Sequence, residues 1–339
     1  MKNLRIAMVA PPFGAIGGPE IVCAHLTEAL VKQGVDVTLY APGDWVTSAT
    51  HIPILPQSLW AMPDFTLQTD IERRNLIFSS QLQVLKDTVN FDIIHTHSQR
   101  TAATLGKLSN IPCLITLHNQ IALRDLAQLD EAGVTCVAIS KGRQERQLSA
   151  TVIQNGIPVE DIPFSLEKGS YIICVGRIIE QKGIHLAIDI ARAAQKKLII
   201  IGRVGNTPNR QAYYQEKILP FLNDSIQFKG EVSQKEIFDY LKGASALLIP
   251  IQSNLSVVPL IAMEALACGT PVITTSINGE SFPQTIGCFS FDTDELTQAV
   301  LNADSFDRQA CRTYALENFG SARMAERYMK LYSEILPSA

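Results

Sequence analysis

Short apolar runs alternate along the chain with longer segments in which apolar residues recur at helical spacing. Residues 4–10 form the first run, which stops at Pro11 and Pro12 and leads into the glycine-rich turn 14–18. Apolar residues then recur with the period of a helix through 19–33, where Gly34 would end it, and 35–40 form a second apolar run. The pattern predicts a βαβ unit with parallel strands.

The same alternation continues through the first half of the chain and starts again in the second half. In the first half it predicts strands at 93–95, 113–117 and 136–139 and helices at 70–88, 100–108 and 141–149. In the second half it predicts strands at 171–175, 197–201, 226–228, 246–250 and 272–274 and helices at 183–195, 210–222, 234–242 and 260–267. Two such series are typical of α/β proteins, and we predict two doubly wound, Rossmann-like domains that face one another across a cleft.

The domain boundary is predicted where the second series begins. The turn dipeptide Asn155-Gly156 is followed by acidic residues and two prolines. We therefore predict an N-terminal domain at 1–155, a linker at 156–163 and a C-terminal domain at 164–320. Because ligands of such folds collect at the carboxyl ends of the strands, we expect the binding site in the cleft.

Composition supports two packed domains and excludes several classes of protein. The 339 residues are 46% hydrophobic and 18% charged, which suits two globular domains rather than a disordered chain. The formal net charge of −4 provides no field that would hold a polyanion, so a general nucleic-acid binder is not expected. A local basic pocket for one phosphorylated ligand remains open.

Cysteine spacing and apolar stretches favour a cytoplasmic protein. The seven cysteines include no CxxC pair and signal no disulfide framework, so reduced thiols are expected. The first apolar run is too short for a secretory signal. The uncharged stretch 243–263 contains two prolines and several polar residues, which favour a strand, a loop and the start of a helix over a membrane span.

Two cations mark a candidate anion site in the second half. Arg177 follows the predicted strand 171–175, and Lys182 immediately precedes a predicted helix. A helix N-terminus already carries partial positive charge, so an added lysine there favours an anion between the two side chains. An arginine fork and a compact ammonium suit a diphosphate. The alternative is a pair of solvated surface cations.

Glu264 and the glycine-rich turn are further candidates for ligand binding. Glu264 has apolar neighbours within the predicted helix 260–267, and a buried carboxylate needs hydrogen-bond partners. Ribose hydroxyls would serve, although Glu264 could instead cap the first turn of its own helix. Glycines at 14–18 would let backbone N–H groups approach an anion, or simply form a tight turn, and the GxGxxG spacing of nicotinamide sites is absent.

In combination these motifs resemble the retaining nucleotide-sugar glycosyltransferases of family 4, which share the GT-B fold. Nearly the whole chain takes part, with the motifs in the order and spacing of the family. The residues that carry the resemblance are Gly17-Gly18-Pro19-Glu20, the segment 92–98, Thr116-Leu117-His118, Ile139-Ser140, Asn155-Gly156, Gly176-Arg177 with Lys182-Gly183, Ile201-Gly202, Gly230-Glu231-Val232 and the segment 264–273.

The resemblance implies a role for each motif. Arg177 and Lys182 would bind the donor diphosphate and stabilise charge on the leaving nucleotide, Glu264 would hold the ribose, and His118 would contact the reacting sugar. For His118 a purely structural hydrogen bond is the alternative. The remaining donor-site residues are Gly17, Gly18, Gly202, Val232, Ser256 and Leu260, with the main chain near Val232 at the base.

The resemblance also implies a front-face reaction without cofactor or metal, in which the leaving phosphate takes the acceptor proton. The sequence has no DxD at a strand end, and no carboxylate pair of the kind glycosidases use. His97 is assigned to the acceptor side. We expect His95 and His97 on opposite faces of one strand, which would prevent them from sharing a metal ion.

The chain departs from the family at the loop that grips the donor sugar. Ser256 occupies the position of a conserved glutamate of the family pattern, and Pro259 replaces its glycine, which fixes φ and removes an N–H donor. Leu260 can still donate its own N–H to a phosphate. The donor sugar would be unusual, or Asn254 or Ser256 would replace the missing carboxylate. In addition, Ile21 stands where an arginine often follows the family glutamate, which disfavours an anionic acceptor at that point.

Several functions therefore remain open. The leading hypothesis is a glycosyltransferase that uses a nucleoside diphosphate sugar; the alternatives are a non-catalytic nucleotide-sugar-binding or partner subunit, and a GT-B epimerase or hydrolase. The acceptor is open among small molecules, glycans, lipids and proteins, and with a lipid acceptor peripheral membrane contact is open too. In this architecture the C-terminal helix 321–339 should pack back on the first domain.

Overall fold

A computed structural model of the chain describes residues 4–14, 17–62, 69–144, 150–252, 257–277 and 281–336. It divides into two compact units, one formed by 1–157 and 321–339 and the other by 158–320. The chain therefore leaves the first unit once and returns to it for its last helix. Where the chain leaves the first unit and where it returns, one hydrogen bond joins the two segments: the backbone N–H of Ser321 donates to the carbonyl oxygen of Ile157 at 2.8 Å.

The first unit is a doubly wound α/β layer structure. Its elements are β1 (Arg5–Val9), α1 (Gly18–Lys32), β2 (Asp36–Ala41), β3 (Thr50–Pro53), α2 (Asp70–Gln81), β4 (Ile93–Thr96), α3 (Ala102–Leu108), β5 (Cys113–Leu117), α4 (Leu123–Glu131), β6 (Val134–Ala138), α5 (Lys141–Gln144) and β7 (Thr151–Val152). The described strands form one parallel sheet in the order β3-β2-β1-β4-β5-β6-β7. The strand order reverses between β1 and β4, where such folds bind ligands.

The second unit repeats this plan. Its elements are β8 (Tyr171–Val175), α6 (Ile184–Ala193), β9 (Leu198–Ile201), α7 (Pro208–Lys217), β10 (Ile226–Phe228), α8 (Gln234–Lys242), β11 (Ala244–Ile249), α9 (Leu260–Ala267), β12 (Val272–Thr274), β13 (Gly287–Phe289), α10 (Thr293–Leu301) and α11 (Arg308–Phe319). The parallel order of the described strands is β10-β9-β8-β11-β12-β13, so the reversal falls between β8 and β11.

The final helix, α12 (Ser321–Ile335), belongs to the first unit and packs on α1. Its buried face includes Met324, Tyr328, Leu331 and Tyr332, which recur at helical spacing. The opposite face is polar. This amphipathic pattern explains why the helix stays attached to the sheet unit although 163 residues separate it from the rest of that unit.

The two-domain α/β prediction is confirmed, and the differences lie at helix ends and in short elements. The helix predicted at 70–88 ends at Gln81 and continues as short 3-10 turns, and the helix predicted at 210–222 ends at Lys217, ahead of Pro220. Residues 145–149 of the helix predicted at 141–149 lie outside the described residues. The sequence patterns did not predict β3, α4, β7, β13, α10 or α11.

The two sheets are buried by helices, and the cysteines form no disulfides. Each sheet is covered by helices, and its central strands are almost wholly buried. All seven cysteines are free. Among the described helices, none combines the length and the hydropathy required to cross a membrane.

A buried arginine holds several segments of the second unit together. Arg308 in α11 is 7% exposed. Its guanidinium donates hydrogen bonds to three backbone carbonyls and one hydroxyl. The acceptors are the carbonyl oxygens of Ser165, Lys242 and Ala244 at 2.9–3.0 Å and the hydroxyl of Thr270 at 3.3 Å. No carboxylate pairs with Arg308 in the described part of the chain, so its charge is solvated by peptide dipoles.

Replacement of Arg308 by alanine should therefore destabilise the second unit strongly. Loss of these bonds leaves buried carbonyls without donors, and we expect the free energy of unfolding to fall by about 4 kcal/mol. Urea unfolding followed by circular dichroism measures the change. Arg192→Ala is the control, because this exposed arginine should contribute less than about 1 kcal/mol. Equal losses in the two variants would contradict the role assigned to Arg308.

Candidate functional site

Arg177 and Lys182 lie at the strand-order reversal of the second unit. Arg177 follows β8 and is exposed, whereas Lys182 ends the 3-10 turn Glu180–Lys182 and is half-buried. The aliphatic part of Lys182 passes the backbone of Gly176, where an added Cβ would be 3.9 Å from its Cδ. Burial, followed by the nearby positive charge of Arg177, lowers the pKa of Lys182. Neither side chain forms an ion pair within the described residues.

Glycines fix the backbone that carries these cations. Gly183 is the N-cap of α6 and has a φ of 66°, and a Cβ there would lie 1.8 Å from the carbonyl oxygen of Pro250 after β11. At Gly202, after β9, a Cβ would lie 1.8 Å from the carbonyl oxygen of Gly176. Both contacts exclude any side chain. The glycines therefore bring the loops after β8, β9 and β11 to one edge of the sheet.

Glu264 occupies a buried position on α9. It is 9% exposed, and its Oε1 accepts a hydrogen bond of 2.9 Å from Nε2 of Gln234 at the start of α8. Because Glu264 is the fifth residue of α9, it does not cap the first turn of its own helix. Burial raises the pKa of Glu264 to about 7, and the bond from Gln234 opposes that rise. Val232 lies two residues before Gln234, so these residues share one corner of the carboxyl edge.

The loop ahead of α9 is described only in part. Asn254 and Ser256 lie outside the described residues. Pro259 is the N-cap of α9 and accepts backbone bonds from Ala262 and Met263. Leu260 is the first residue of α9. The first N–H groups of a helix have no hydrogen-bond partner within the helix, so the N–H of Leu260 is free of the helix's own bonds.

The glycine turn of the first unit is shaped by a folded-back carboxyl group. A Cβ on Gly17 would lie 2.1 Å from Oε2 of Glu20. The absence of a side chain at Gly17 therefore leaves the space that the Glu20 carboxyl group occupies. Gly18 has open space where its side chain would be. Glu20 itself is 6% exposed, and burial raises its pKa to about 7. Residues 15 and 16 of the turn lie outside the described residues.

A buried polar network joins α12 to the central strands of the first unit. Nδ1 of His95 is 2.7 Å from the hydroxyl of Tyr332, and its Nε2 is 2.8 Å from the hydroxyl of Thr116. The Thr116 hydroxyl is also 2.6 Å from the hydroxyl of Tyr328. Desolvation, followed by the nearby His118, lowers the pKa of His95 to about 3, so its ring is neutral and uses one nitrogen as donor and the other as acceptor.

His97 and His118 form a second buried pair beside this network. Nδ1 of His97 is 2.8 Å from Nε2 of His118, and the two rings are stacked. His95 also stacks on His97, with ring centroids 4.5 Å apart. The prediction that His95 and His97 point to opposite faces was wrong, because side chains two residues apart on a strand share a face. No group of three metal-binding side chains occurs in the described residues.

The histidine pair opens into a cavity at the strand-order reversal. This cavity of about 200 Å³ is lined by Glu20, His97, His118, Arg100 and apolar residues of the loop after β1. Nε2 of His97 is buried and has no hydrogen-bond partner in the described part of the chain. The carboxyl edge of the first unit thus presents imidazoles and a buried carboxyl group, whereas that of the second presents cations.

Two of these site residues were not predicted from the sequence. Glu20 was part of a motif, but an acidic residue in the first turn of a helix is ordinary, and no pattern signalled its burial. Gln234 lies within the Ser-x-x-Glu capping box that runs from Ser233 to Glu236 and accounts for the start of α8, and nothing in this local pattern indicates that Gln234 reaches Glu264.

Two Rossmann-like units, each with a parallel sheet, are the architecture of the GT-B class of glycosyltransferases. Two family models match the chain: Glycosyltransferase Family 4 over residues 16–161 and Glycosyl transferases group 1 over residues 160–286. The chain belongs to the family 4 glycosyltransferases and has the GT-B fold.

Individual proteins agree with this assignment. The chain is 25% identical over 310 residues to a phosphatidyl-myo-inositol mannosyltransferase of Propionibacterium freudenreichii, covering 81% of this chain and 77% of the relative. A sucrose-phosphate synthase from Thermosynechococcus elongatus has the same fold, with a TM-score of 0.76, 18% identity and 98% of each chain covered. The Anabaena protein HepE, in complex with UDP and glucose, matches with a TM-score of 0.72 and 15% identity over 98% of this chain and 100% of HepE.

Glu264 should make the stability of the second unit depend on pH. Its unfolded-state pKa of 4.5 rises to about 7 on folding, so between these values the unfolded chain releases a proton that the folded chain keeps. The free energy of unfolding should therefore fall as pH rises through this window, by about 3 kcal/mol for this group. Glu264→Gln should be more stable than the parent at about pH 8 and similar at about pH 4. Urea unfolding at both pH values tests this, and a parallel pH profile in the variant would contradict it.

Thr116 should be essential to the histidine network. Thr116→Val keeps the shape but leaves His95 and the hydroxyl of Tyr328 without their shared partner, and we expect a loss of about 3 kcal/mol in the free energy of unfolding. The matched control is Thr135→Val on β6, whose hydroxyl makes no hydrogen bond among those found in the described residues. Urea unfolding measures both, and a loss no larger than that of the control would contradict the prediction.

Proposed function

We propose that the chain transfers a glycosyl group from a nucleoside diphosphate sugar to an acceptor hydroxyl, with retention of configuration at the anomeric carbon. The observation that carries the proposal is the pair of cations at the strand-order reversal of the second unit. Arg177 and Lys182 are close enough for one charge to lower the pKa of the other. Two cations held together without a carboxylate favour a doubly charged anion.

The arrangement of the carboxyl edge supports a nucleotide at this site. The diphosphate would contact Arg177, Lys182 and the first N–H groups of α9, beginning at Leu260. Glu264 would accept the ribose hydroxyls, and Gln234 would hold its carboxyl group in place. The main chain at Val232 would contact the base, and Gly202 would allow the nucleotide to approach the backbone. We place Gly17 and Gly18 beneath the donor phosphates and sugar, and Ser256 beside the sugar.

The proposed reaction is a front-face substitution. The bond between the anomeric carbon and the diphosphate oxygen breaks, and the acceptor oxygen forms its bond to the same face of that carbon. The acceptor proton passes to an oxygen of the leaving diphosphate. Arg177 and Lys182 would stabilise the negative charge that develops on this leaving group, a contribution worth several kcal/mol in comparable sites. The two side chains would supply this charge without a divalent cation.

His118 would contact the reacting sugar and His97 would line the acceptor side. UDP is the first nucleotide to test because the HepE structure contains it. The acceptor of the Propionibacterium relative is phosphatidyl-myo-inositol. A cyclitol, a sugar or a lipid that carries one is therefore the acceptor class that we would screen first.

Lys182→Ala should weaken both donor binding and transfer. Because the cation acts on the leaving group, we expect turnover with UDP-sugars and a mixed acceptor panel to fall by at least about 100-fold, with weaker UDP binding. Coupled release of UDP measures turnover, and calorimetry measures binding. Both assays are repeated with a chelator to test metal independence.

Arg192→Ala, an exposed arginine of the same unit, is the control and should behave as the parent. Unchanged UDP binding in both Lys182→Ala and Arg177→Ala would refute the donor site. The second candidate function, a partner subunit that binds a nucleotide sugar without transfer, is favoured by Ser256 and Pro259. Tight donor binding with no turnover for any acceptor would support that candidate, and UDP release without acceptor would indicate a hydrolase or epimerase.

A further inference from the structure

The amino end of α6 is closed by a side chain of the neighbouring helix α7. The N-cap of α6 is Gly183, which has no side chain to accept the first N–H groups of the helix. The hydroxyl of Tyr213 on α7 takes this place. The backbone N–H groups of Ile184 and His185 both donate to it, the second at 3.3 Å. Tyr213 therefore caps a helix to which it does not belong.

The imidazole of His185 is a further partner of the same hydroxyl. Nδ1 of His185 lies 2.8 Å from the oxygen of Tyr213, and the two rings meet edge to face with centroids 5.7 Å apart. Burial lowers the pKa of His185, which favours the neutral ring, so Nδ1 can accept the proton of the hydroxyl. The hydroxyl of Tyr213 thus serves as acceptor and donor at once. A phenyl ring in its place would leave two N–H groups and one ring nitrogen without this partner.

The capped end of α6 is the end at which many doubly wound folds bind phosphate, through the first N–H groups of the helix after the first strand. Here the oxygen of Tyr213 accepts from those groups, so a phosphate oxygen cannot use them at the same time. The positive charge beside the end of β8 comes instead from Lys182, two residues before Ile184. The direction of this one side chain consequently matters more than it would at an open helix end.

Two contacts fix the backbone on either side of Lys182. Before it, the carbonyl oxygen of Gln181 accepts a bond of 3.1 Å from the N–H of Gln252, in the segment after β11. After it, Gly183 leads directly into the turn that Tyr213 caps. The side chain of Lys182 leaves the backbone between these two points, so the direction in which it extends depends on both.

We propose that Tyr213 is a positioning residue of the donor site, which fixes the backbone from which Lys182 reaches the diphosphate by closing the amino end of α6. The inference rests on the proposed function, because Tyr213 has this role only if Lys182 binds a diphosphate. Tyr213 itself would contact neither the nucleotide nor the sugar, since its hydroxyl is engaged by α6.

Nucleotide binding to the full chain tests the proposal. Tyr213→Phe removes only the hydroxyl, and calorimetry with UDP, GDP and ADP measures the dissociation constant of each. For the nucleotide that the parent binds most tightly we expect a rise of about fivefold, the effect of one lost hydrogen bond. Tyr214→Phe is the matched control and should match the parent, because the hydroxyl of this adjacent tyrosine makes no hydrogen bond among those found in the described residues.

A double-mutant cycle separates the positioning of Lys182 from a general loss of structure. If the hydroxyl of Tyr213 acts through Lys182, its removal from a Lys182→Ala chain should change the dissociation constant by less than about twofold. Independent effects that multiply would overturn the proposal, as would unchanged affinity in Tyr213→Phe, and a loss of affinity in Lys182→Ala would then leave the proposed function intact. Unchanged affinity in both Lys182→Ala and Arg177→Ala, or no binding of any of the three nucleotides to the parent, would refute the donor site and the inference together.

Turnover and a second variant complete the test. Because Lys182 would act on the leaving group, kcat at saturating donor should also fall in Tyr213→Phe, by about tenfold. A higher KM with unchanged kcat would show only a looser binding site and would contradict the proposal. His185→Leu keeps the cap but removes the acceptor of the hydroxyl proton, so it should raise the dissociation constant by about twofold, and only when Lys182 is present. This variant keeps the proposal testable if Tyr213→Phe does not fold.

Discussion

The geometry of the first unit depends on keeping His95 neutral and fully hydrogen-bonded inside the sheet. Imidazole nitrogen is a better acceptor than phenol oxygen, so the hydroxyl of Tyr332 is the natural donor to Nδ1, and Nε2–H then donates to Thr116. A protonated His95 would lose one of these acceptors and place a charge among apolar strands. This arrangement requires α12, since both tyrosines of the network belong to it. The final helix is therefore part of the first unit for a polar reason as well as an apolar one.

The same constraint extends to the candidate ligand site. His97 stacks on the fixed ring of His95, and its Nδ1 is held by His118, so two contacts determine where Nε2 lies. The orientation of the His97 ring is therefore set by its neighbours, although residues that follow a strand are usually the more mobile ones.

The sequence predicted the parts of the structure that depend on local pattern. Alternating apolar runs predicted the two α/β units, and the same pattern places Arg177 and Gly202 after strands and Lys182 just before a helix. The local pattern could not predict contacts between segments that are distant in the sequence. The bond from Gln234 to Glu264 spans 30 positions, and the contact between Tyr332 and His95 spans 237, so no local spacing indicates either. The error over His95 and His97 was different, because the two-residue period of a strand already places them on one face.

The polar groups at the carboxyl edges of the two sheets differ in charge and in burial. In the second unit the cations remain partly in contact with water, so they can exchange water for the oxygens of an anion at modest cost. In the first unit the polar groups are buried, and burial favours their neutral forms: it raises the pKa of Glu20 to about 7 and lowers that of His97. Uncharged polar groups suit hydroxyl ligands and exposed cations suit anions, so the strand-order reversals of the two units favour ligands of different charge.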